Sequence, residues 1–301
     1  MHKKVIIIGG PTAVGKTSLA VALAAHYNTE IISADSRQCF KELNIGVARP
    51  SQEELNQIRH HFIASHSIHD PLTAIDFEKY AIAKANELLQ KKEWIILVGG
   101  TGLYIKAFME GMDDIPSVDQ TIREEIAFQY NQKGIDWLSL QLGKLDQEYA
   151  ARGSMQNPQR MMRALEVVTA TGKSILSYQQ KVKKERPFEM IPVQISLPRE
   201  QLYERINNRV DLMMKAGLLE EVKHLYPYRH LNALQTVGYR ELFEYMDGHG
   251  SVEEAVSKIK QHTRHYAKRQ ETWFAHQWKA SVYAPDQLND IVRMVDQKLT
   301  S

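Results

Sequence analysis

Val5-Ile6-Ile7-Ile8-Gly9-Gly10-Pro11-Thr12-Ala13-Val14-Gly15-Lys16-Thr17 decides the fold of this 301-residue chain. Four β-branched residues in a row, closed by two glycines, predict a strand buried on both faces of a parallel sheet. The segment Gly10 to Thr17 fits G-x-x-x-x-G-K-[ST], and Thr17 to Ala25 then reads as a helix with Leu19, Ala20, Leu23 and Ala24 on one face. Strand, glycine loop and helix in that order make a P-loop. Its backbone N–H groups can surround an anion, and the helix adds its positive end. Lys16 brings a charge to the outer phosphate, and the Thr17 hydroxyl can reach Mg²⁺. Gly10, Pro11, Thr12, Ala13, Val14, Gly15, Lys16 and Thr17 are therefore expected to bind a diphosphate or a nucleotide. A glycine-rich turn without ligand is the plain alternative.

Two further strands extend the pattern. Glu30 to Ala34 is one, and Trp94 to Val98 is the other, separated by a helix over Asp76 to Lys92 with Phe77, Ala81, Ala85 and Leu88 at helical spacing. Such alternation predicts an α/β fold, a P-loop NTPase-like parallel sheet flanked by helices with right-handed crossovers. From Gly111 onward the pattern turns helical. Val118, Ile122, Ile126 and Tyr130 mark one helix, Trp137 to Leu145 a second, and Gln159 to Thr171 a third, with Met162, Leu165 and Val168 inward and Gly172 as C-cap. The next strand-like run is Pro192 to Leu197. Residues 115–188 thus read as a helical insertion domain, and 1–114 with 189–301 as the catalytic core with C-terminal helices. Leu202, Ile206, Val210 and Met213 share a helix face, Ser251 to Glu254 is a capping box opening a long helix, and a short strand and a helix end the chain.

Composition narrows the setting. With 38 Lys and Arg against 36 Asp and Glu the net charge is +2, so any polyanion site must come from local clustering. The single cysteine, Cys39, excludes an internal disulfide and a Cys-based zinc site and suits a reducing cytoplasm. No stretch is long and apolar enough to span a membrane. The charged start Met1 to Lys4 leads into a glycine loop and not into a cleavage site. His60, His61, His66 and His69 lack the cysteine or spaced carboxylate that would complete a metal shell and read as polar loop surface.

The P-loop fixes the ligand class but not the reaction. The third strand ends in Gly99-Gly100, with no acid at its tip to orient Mg²⁺ as a motor ATPase requires. The second strand ends in Ser33-Ala34-Asp35-Ser36-Arg37-Gln38. Carboxyl ends of parallel strands open on the ligand crevice, so Asp35 can act there as a general base; a helix cap or a partner of Arg37 is its plain alternative. Gly99 to Tyr104 forms a second glycine turn whose Thr101 could face the reacting centre, or serve only as a βα turn. Two basic clusters stand apart: Lys181, Lys183, Lys184 and Arg186, and Lys260, Arg264 and Lys268 at i, i+4 spacing with His265 and Arg269 beside them. Both fit phosphate contacts and both fit solvated surface.

Together these pieces resemble the bacterial tRNA dimethylallyltransferases, also called tRNA isopentenyltransferases. The likeness covers nearly the whole chain. Besides the P-loop, Ser33 to Gln38 and Val98 to Tyr104, it includes Gln159 to Glu166, Val237-Gly238-Tyr239-Arg240 and Ala267-Lys268-Arg269-Gln270-Glu271-Thr272-Trp273. The resemblance implies transfer of a dimethylallyl group from dimethylallyl diphosphate to N6 of the adenine at position 37, beside the tRNA anticodon. It implies Asp35 as base, Thr101 as positioning group, and Lys16, Thr17, Mg²⁺ and Arg209 on the diphosphate. It implies Asp35, Ser36, Arg37, Gln38, Thr101, Arg123, Gln159, Arg160, Met161, Met162 and Arg163 as the surface for the anticodon loop, in a monomeric cytoplasmic enzyme. Cys39-Phe40, Val47-Ala48-Arg49, Ala64 and Ser154 to Asn157 depart from the family pattern beside these regions. On pattern alone, a P-loop kinase using ATP on a small metabolite or nucleoside is the alternative, and an RNA-binding nucleotide sensor a third.

Overall fold

The strand Lys4–Gly9 (β1) is buried along its whole length, and its side chains divide by parity. Val5 and Ile7 join one apolar cluster and Ile6 and Ile8 another, because successive residues of a strand point to opposite faces. Fully burying each such side chain contributes about 1.5–3 kcal/mol, so this short segment anchors two cores at once. The computed structural model describes residues 3–180 and 182–298.

Around β1 a six-stranded sheet assembles in the order β3-β2-β4-β1-β5-β6, with Ile31–Ser33 (β2), His60–His61 (β3), Trp94–Gly99 (β4), Glu189–Ile195 (β5) and Ser281–Tyr283 (β6). Every strand pairing among the described residues is parallel. Lys16–His26 (α1), Gln52–Gln57 (α2), Ala74–Leu88 (α3) and Gly102–Glu110 (α4) complete the first half. The sheet fold read from the sequence is thus the fold observed, with boundaries moved by a few residues. The fourth strand run begins at Glu189 and stops at Ile195, earlier than the apolar run Pro192 to Leu197 suggested, since Lys4 of β1 pairs with Glu189.

The double histidine is a correction. His60–His61 is an edge strand beside β2, and His61 is buried with its Nε2 2.7 Å from Glu30 Oε2. Two residues carry no periodic signal, so only the neighbouring strand reveals them.

The chain divides into two compact units, Met1–Glu110 with Glu185–Ser301, and Gly111–Lys184. The second is helical: Gln120–Leu145 (α5), Gln147–Arg152 (α6) and Pro158–Thr171 (α7), with its own core of Ile126, Leu138, Leu142, Met161, Leu165 and Val168. Met161, and not Met162, is the fully buried methionine of α7. Gly172 ends α7 in the left-handed conformation, at φ 70°. The two sequence-read helices of α5 abut without a linker, the axis breaking at Gly134 (φ 73°, ψ −167°).

In the first unit, Arg199–Lys215 (α8), Leu218–Leu225 (α9), Tyr239–Met246 (α10), Val252–Gln277 (α11) and Leu288–Gln297 (α12) follow β5. Arg186, grouped above with surface lysines, is buried instead. It lies 3.0 Å from Glu78 and donates to the Phe108 and Ala107 carbonyls, so it fastens the end of α4 and offers nothing to phosphate. Lys181 of that cluster lies outside the described residues.

Gly134 predicts its own test. A side chain there has open space but meets a backbone conformation reserved for glycine. Gly134→Ala should destabilise the helical unit by about 1–3 kcal/mol, seen as faster amide exchange in α5 and α7 with α1 and the sheet unchanged.

Candidate active site

The glycine loop leaves the carboxyl end of β1 and turns into α1 at Gly15, whose φ of 103° suits glycine. Thr12, Ala13, Gly15, Lys16 and Thr17 line a cavity of about 460 Å³. Gly10, Pro11 and Val14 are buried, and Val14 packs in the core beneath. Lys16 donates to the Pro11 carbonyl at 2.6 Å. Burial, and secondarily the Arg209 guanidinium, pull its pKa from 10.5 down to about 7, against the opposing pull of Asp35. Arg209 comes from α8, and its Nη1 reaches Thr12 Oγ1 at 3.3 Å. Burial holds the Arg209 pKa below its usual value, and Asp35 again opposes. Lys16, Arg209 and Asp35 thus form one electrostatic group brought together from three distant segments.

Sequence reading missed Arg205, one helical turn before Arg209. Its Nη1 lies 3.3 Å from the Val14 carbonyl, and it lines the same cavity. The i, i+4 spacing of the two arginines was the available signal.

Asp35 follows β2 and serves two purposes with two atoms. Its Oδ1 accepts the backbone N–H groups of Arg37 (2.8 Å) and Gln38 (3.2 Å), which is the capping role. Its Oδ2 has no hydrogen bond among the described residues, and Asp35 lines the cavity. The capping bonds fix the carboxylate's orientation, and the second oxygen keeps its lone pairs for another group.

The second glycine turn is knitted to this segment. Thr101 N–H donates to the Ala34 carbonyl at 3.3 Å, and Thr101 Oγ1 accepts Ser36 N–H at 3.1 Å. The Thr101 hydroxyl also donates to the Ser36 hydroxyl at 3.3 Å, and burial pushes the Tyr266 pKa up to about 12. Tyr266 lines the cavity, and Thr101 does not. Of the tRNA-side residues, Gln38 donates to the Ala48 carbonyl (2.9 Å) and Arg37 reaches Asn232 (3.4 Å). Arg49, one of the departures from the family pattern, gathers the Phe40, Lys41 and Leu43 carbonyls, so it shapes its own loop.

Helix α11 covers both glycine turns. Gln270 is buried; its Oε1 accepts Thr12 N–H at 2.8 Å and its Nε2 donates to the Gly100 carbonyl at 2.8 Å. A Cβ on Gly100 would stand 2.4 Å from Gln270 Nε2, and one on Gly102 would stand 2.4 Å from the Trp273 ring. These glycines are required by the approach of α11 as well as by the turn. On the same helix Lys260 pairs with Asp211 (2.7 Å) and Arg264 donates to Asn207 (2.7 Å), so both fasten α11 to α8. Lys268, Arg269 and His265 remain exposed. Part of the basic stripe is therefore a helix–helix seam.

In the helical unit Gln159, Arg160 and Arg163 line an open groove with Arg152 and Tyr149. Arg163 also bonds Glu166 (3.0 Å) and the Pro116 carbonyl (3.2 Å), and Arg123 lies 3.8 Å from Glu166. Met161 is buried under that surface and Met162 partly exposed. No cluster of three or more His, Cys, Asp or Glu side chains suited to a metal occurs among the described residues. No helix among them is long and apolar enough to cross a membrane.

Residues 38–277 match the family model described as IPP transferase. A tRNA dimethylallyltransferase of Christiangramia forsetii is 51% identical over 274 residues, 91% of each chain. This chain belongs to the IPP transferase family. Its structure resembles the full-length tRNA isopentenylpyrophosphate transferase of Bacillus halodurans, with TM-score 0.73, 33% identity and coverage of 99% and 97% of the two chains. A eukaryotic dimethylallyltransferase described as acting on tRNA is similar at TM-score 0.77 and 25% identity, covering 99% of this chain and 77% of its own. The family model begins after the P-loop and Asp35, so the reading of those residues in this IPP transferase rests on their geometry. Gln270 and Trp273 fall inside the matched span, in the block quoted above.

Lys16 supplies a pH test. An anion in the cradle favours the ammonium, so binding takes up a proton wherever free Lys16 is neutral. The contribution of Lys16 to diphosphate affinity should be full below about pH 7 and fall above it, by up to about tenfold per pH unit. Titrations with inorganic diphosphate between pH 6 and 9 measure this. Lys16→Met removes the component, and identical profiles for the two proteins would exclude a lowered Lys16 pKa.

Proposed function

We propose that this protein transfers a dimethylallyl group from dimethylallyl diphosphate to N6 of adenine 37 in tRNA, releasing diphosphate. The observation that carries the reading is the meeting of half-buried Lys16 and Arg209 with Asp35 at one P-loop cavity, in a chain whose relatives are named tRNA dimethylallyltransferases. The diphosphate lies in the cradle, with Lys16, Arg209 and Arg205 at its oxygens. Cations and N–H donors aimed there stabilise the charge that develops as the leaving group departs.

Adenine N6 is a weak nucleophile because its lone pair is delocalised into the ring. As the N6–C1 bond forms, the C1–O bond breaks and its electrons leave with the diphosphate. The N6 proton passes to Asp35, whose Oδ2 is the free oxygen of a carboxylate aimed by its Oδ1 bonds. Ser36 holds the Thr101 hydroxyl beside Asp35.

A divalent cation, Mg²⁺, fits the donor set. Thr17 offers one hard oxygen beside the diphosphate, and Mg²⁺ binds through few protein ligands when phosphates supply the rest. Held there by Thr17, such a cation would supply positive charge at the leaving group. The target base flips out of the anticodon loop to reach the cavity, and the groove of Gln159, Arg160 and Arg163 in the unit 111–184 takes the RNA. The enzyme works in the cytoplasm as a monomer. The kinase alternative loses ground, since the relatives described above are named for transfer to tRNA.

Incubation with Mg²⁺, labelled dimethylallyl diphosphate and unmodified tRNA should move label to the tRNA, and no transfer would refute the proposal. Asp35→Asn, which keeps an oxygen for the Arg37 and Gln38 N–H groups, should lower the single-turnover rate about 10²-fold to 10⁴-fold with tRNA affinity retained; an unchanged rate would remove Asp35 as base. Affinity for tRNA should fall steeply and linearly on a log–log plot against salt, and a flat profile would argue against phosphate contacts.

A further inference from the structure

We propose that Gln270 is a positioning residue that sets the gap between the donor cradle and the acceptor turn, through its paired hydrogen bonds to Thr12 and Gly100. The inference rests on the function proposed above and assigns to Gln270, which also lines the cavity, a role exerted through the two loops it joins. Thr12 belongs to the P-loop, which would hold the diphosphate. Gly100 precedes Thr101, whose backbone and hydroxyl are tied to Ala34 and Ser36 on either side of Asp35. One planar amide therefore joins the side that holds the leaving group to the side that holds the base. Its orientation is fixed, because one end must accept from an N–H and the other must donate to a carbonyl.

Three observations favour alignment over simple packing. The amide is buried, so its two bonds meet little competition from water. Its partners lie 258 and 170 residues away in sequence, and no local turn depends on it. Gly100 is cut back to bare backbone at the contact, so the two loops approach α11 as closely as chemistry allows. The bond also turns the Thr12 N–H towards α11, leaving the inward donors of the cradle to the residues after it. An in-line displacement tolerates little error: a misplacement of about 1 Å from reacting geometry costs roughly 10²-fold in rate. Glutamate in the same place keeps the acceptor for Thr12 but sets an oxygen against the Gly100 carbonyl. Methionine keeps the length and loses both bonds.

The test compares wild type, Gln270→Met and Gln270→Glu in three measurements. These are affinity for inorganic diphosphate, single-turnover transfer to tRNA, and the share of donor that ends as dimethylallyl alcohol. The alcohol forms when water attacks C1: the C1–O bond to diphosphate breaks, a bond to the water oxygen forms, and a proton goes to solvent. Both variants should bind diphosphate within about threefold of wild type and transfer roughly 10²-fold more slowly, with a raised share of alcohol. Transfer within about threefold of wild type and no added alcohol would overturn the proposal. An equal loss of diphosphate affinity and transfer would also overturn it, making Gln270 only a brace of the loop. If Gln270→Met fails to fold, Gln270→Glu, which retains shape and the Thr12 bond, decides between the same outcomes. Wild type that transfers nothing would remove the function on which the inference rests, whereas active wild type beside unaffected variants would remove the inference alone.

Discussion

Lys16 and Arg209 bring two positive charges together inside a protein crevice, with Asp35 the carboxylate that both feel. Burial disfavours each cation, and their mutual repulsion adds to the cost. A polyanion in the proposed cradle would relieve this, by meeting the N–H groups of the loop and favouring the charged form of Lys16. The rest of the core serves this arrangement. The buried sheet fixes where β1 and β2 end, α8 delivers Arg205 and Arg209, and α11 closes over the loops.

The glycines illustrate how one residue type answers two demands. Gly15 supplies the left-handed backbone that starts α1. Gly100 and Gly102 supply absence, since a methyl group on either would strike Gln270 or Trp273. A motif read as a phosphate cradle is thus also a docking surface for a helix that lies far along the chain. The same helix uses Lys260 and Arg264 against α8 and leaves Lys268 and Arg269 in solvent, so one basic stripe is divided between structure and surface.

The helical unit follows a different logic. Its core is independent of the sheet, and α7 carries both the buried Met161 and the exposed Gln159 and Arg160 within one turn. Glu166 bonds Arg163 at 3.0 Å and draws Arg123 to within 3.8 Å on that unit. A surface of this kind presents planar guanidinium groups, which suit two-point contact with the oxygens of a phosphate backbone.

Much of this was legible in the sequence alone. The run Val5 to Ile8 with its glycine loop carries the strand, the cradle and the following helix, because local periodicity and φ preference are properties of neighbouring residues. Asp35 was legible as an acid at a strand end, Gly172 as a cap and Ser251 to Glu254 as a capping box. Tertiary structure alone decided the rest. Strand β3 is too short to signal itself, and Arg186 looked like a surface cation until Glu78 was brought against it. Gln270 read as one residue in a motif, and only the packing of α11 turned it into a bridge between Thr12 and Gly100. The reason is physical: hydrogen bonds and charge burial depend on partners hundreds of residues apart, and no window of sequence contains both ends of such an interaction.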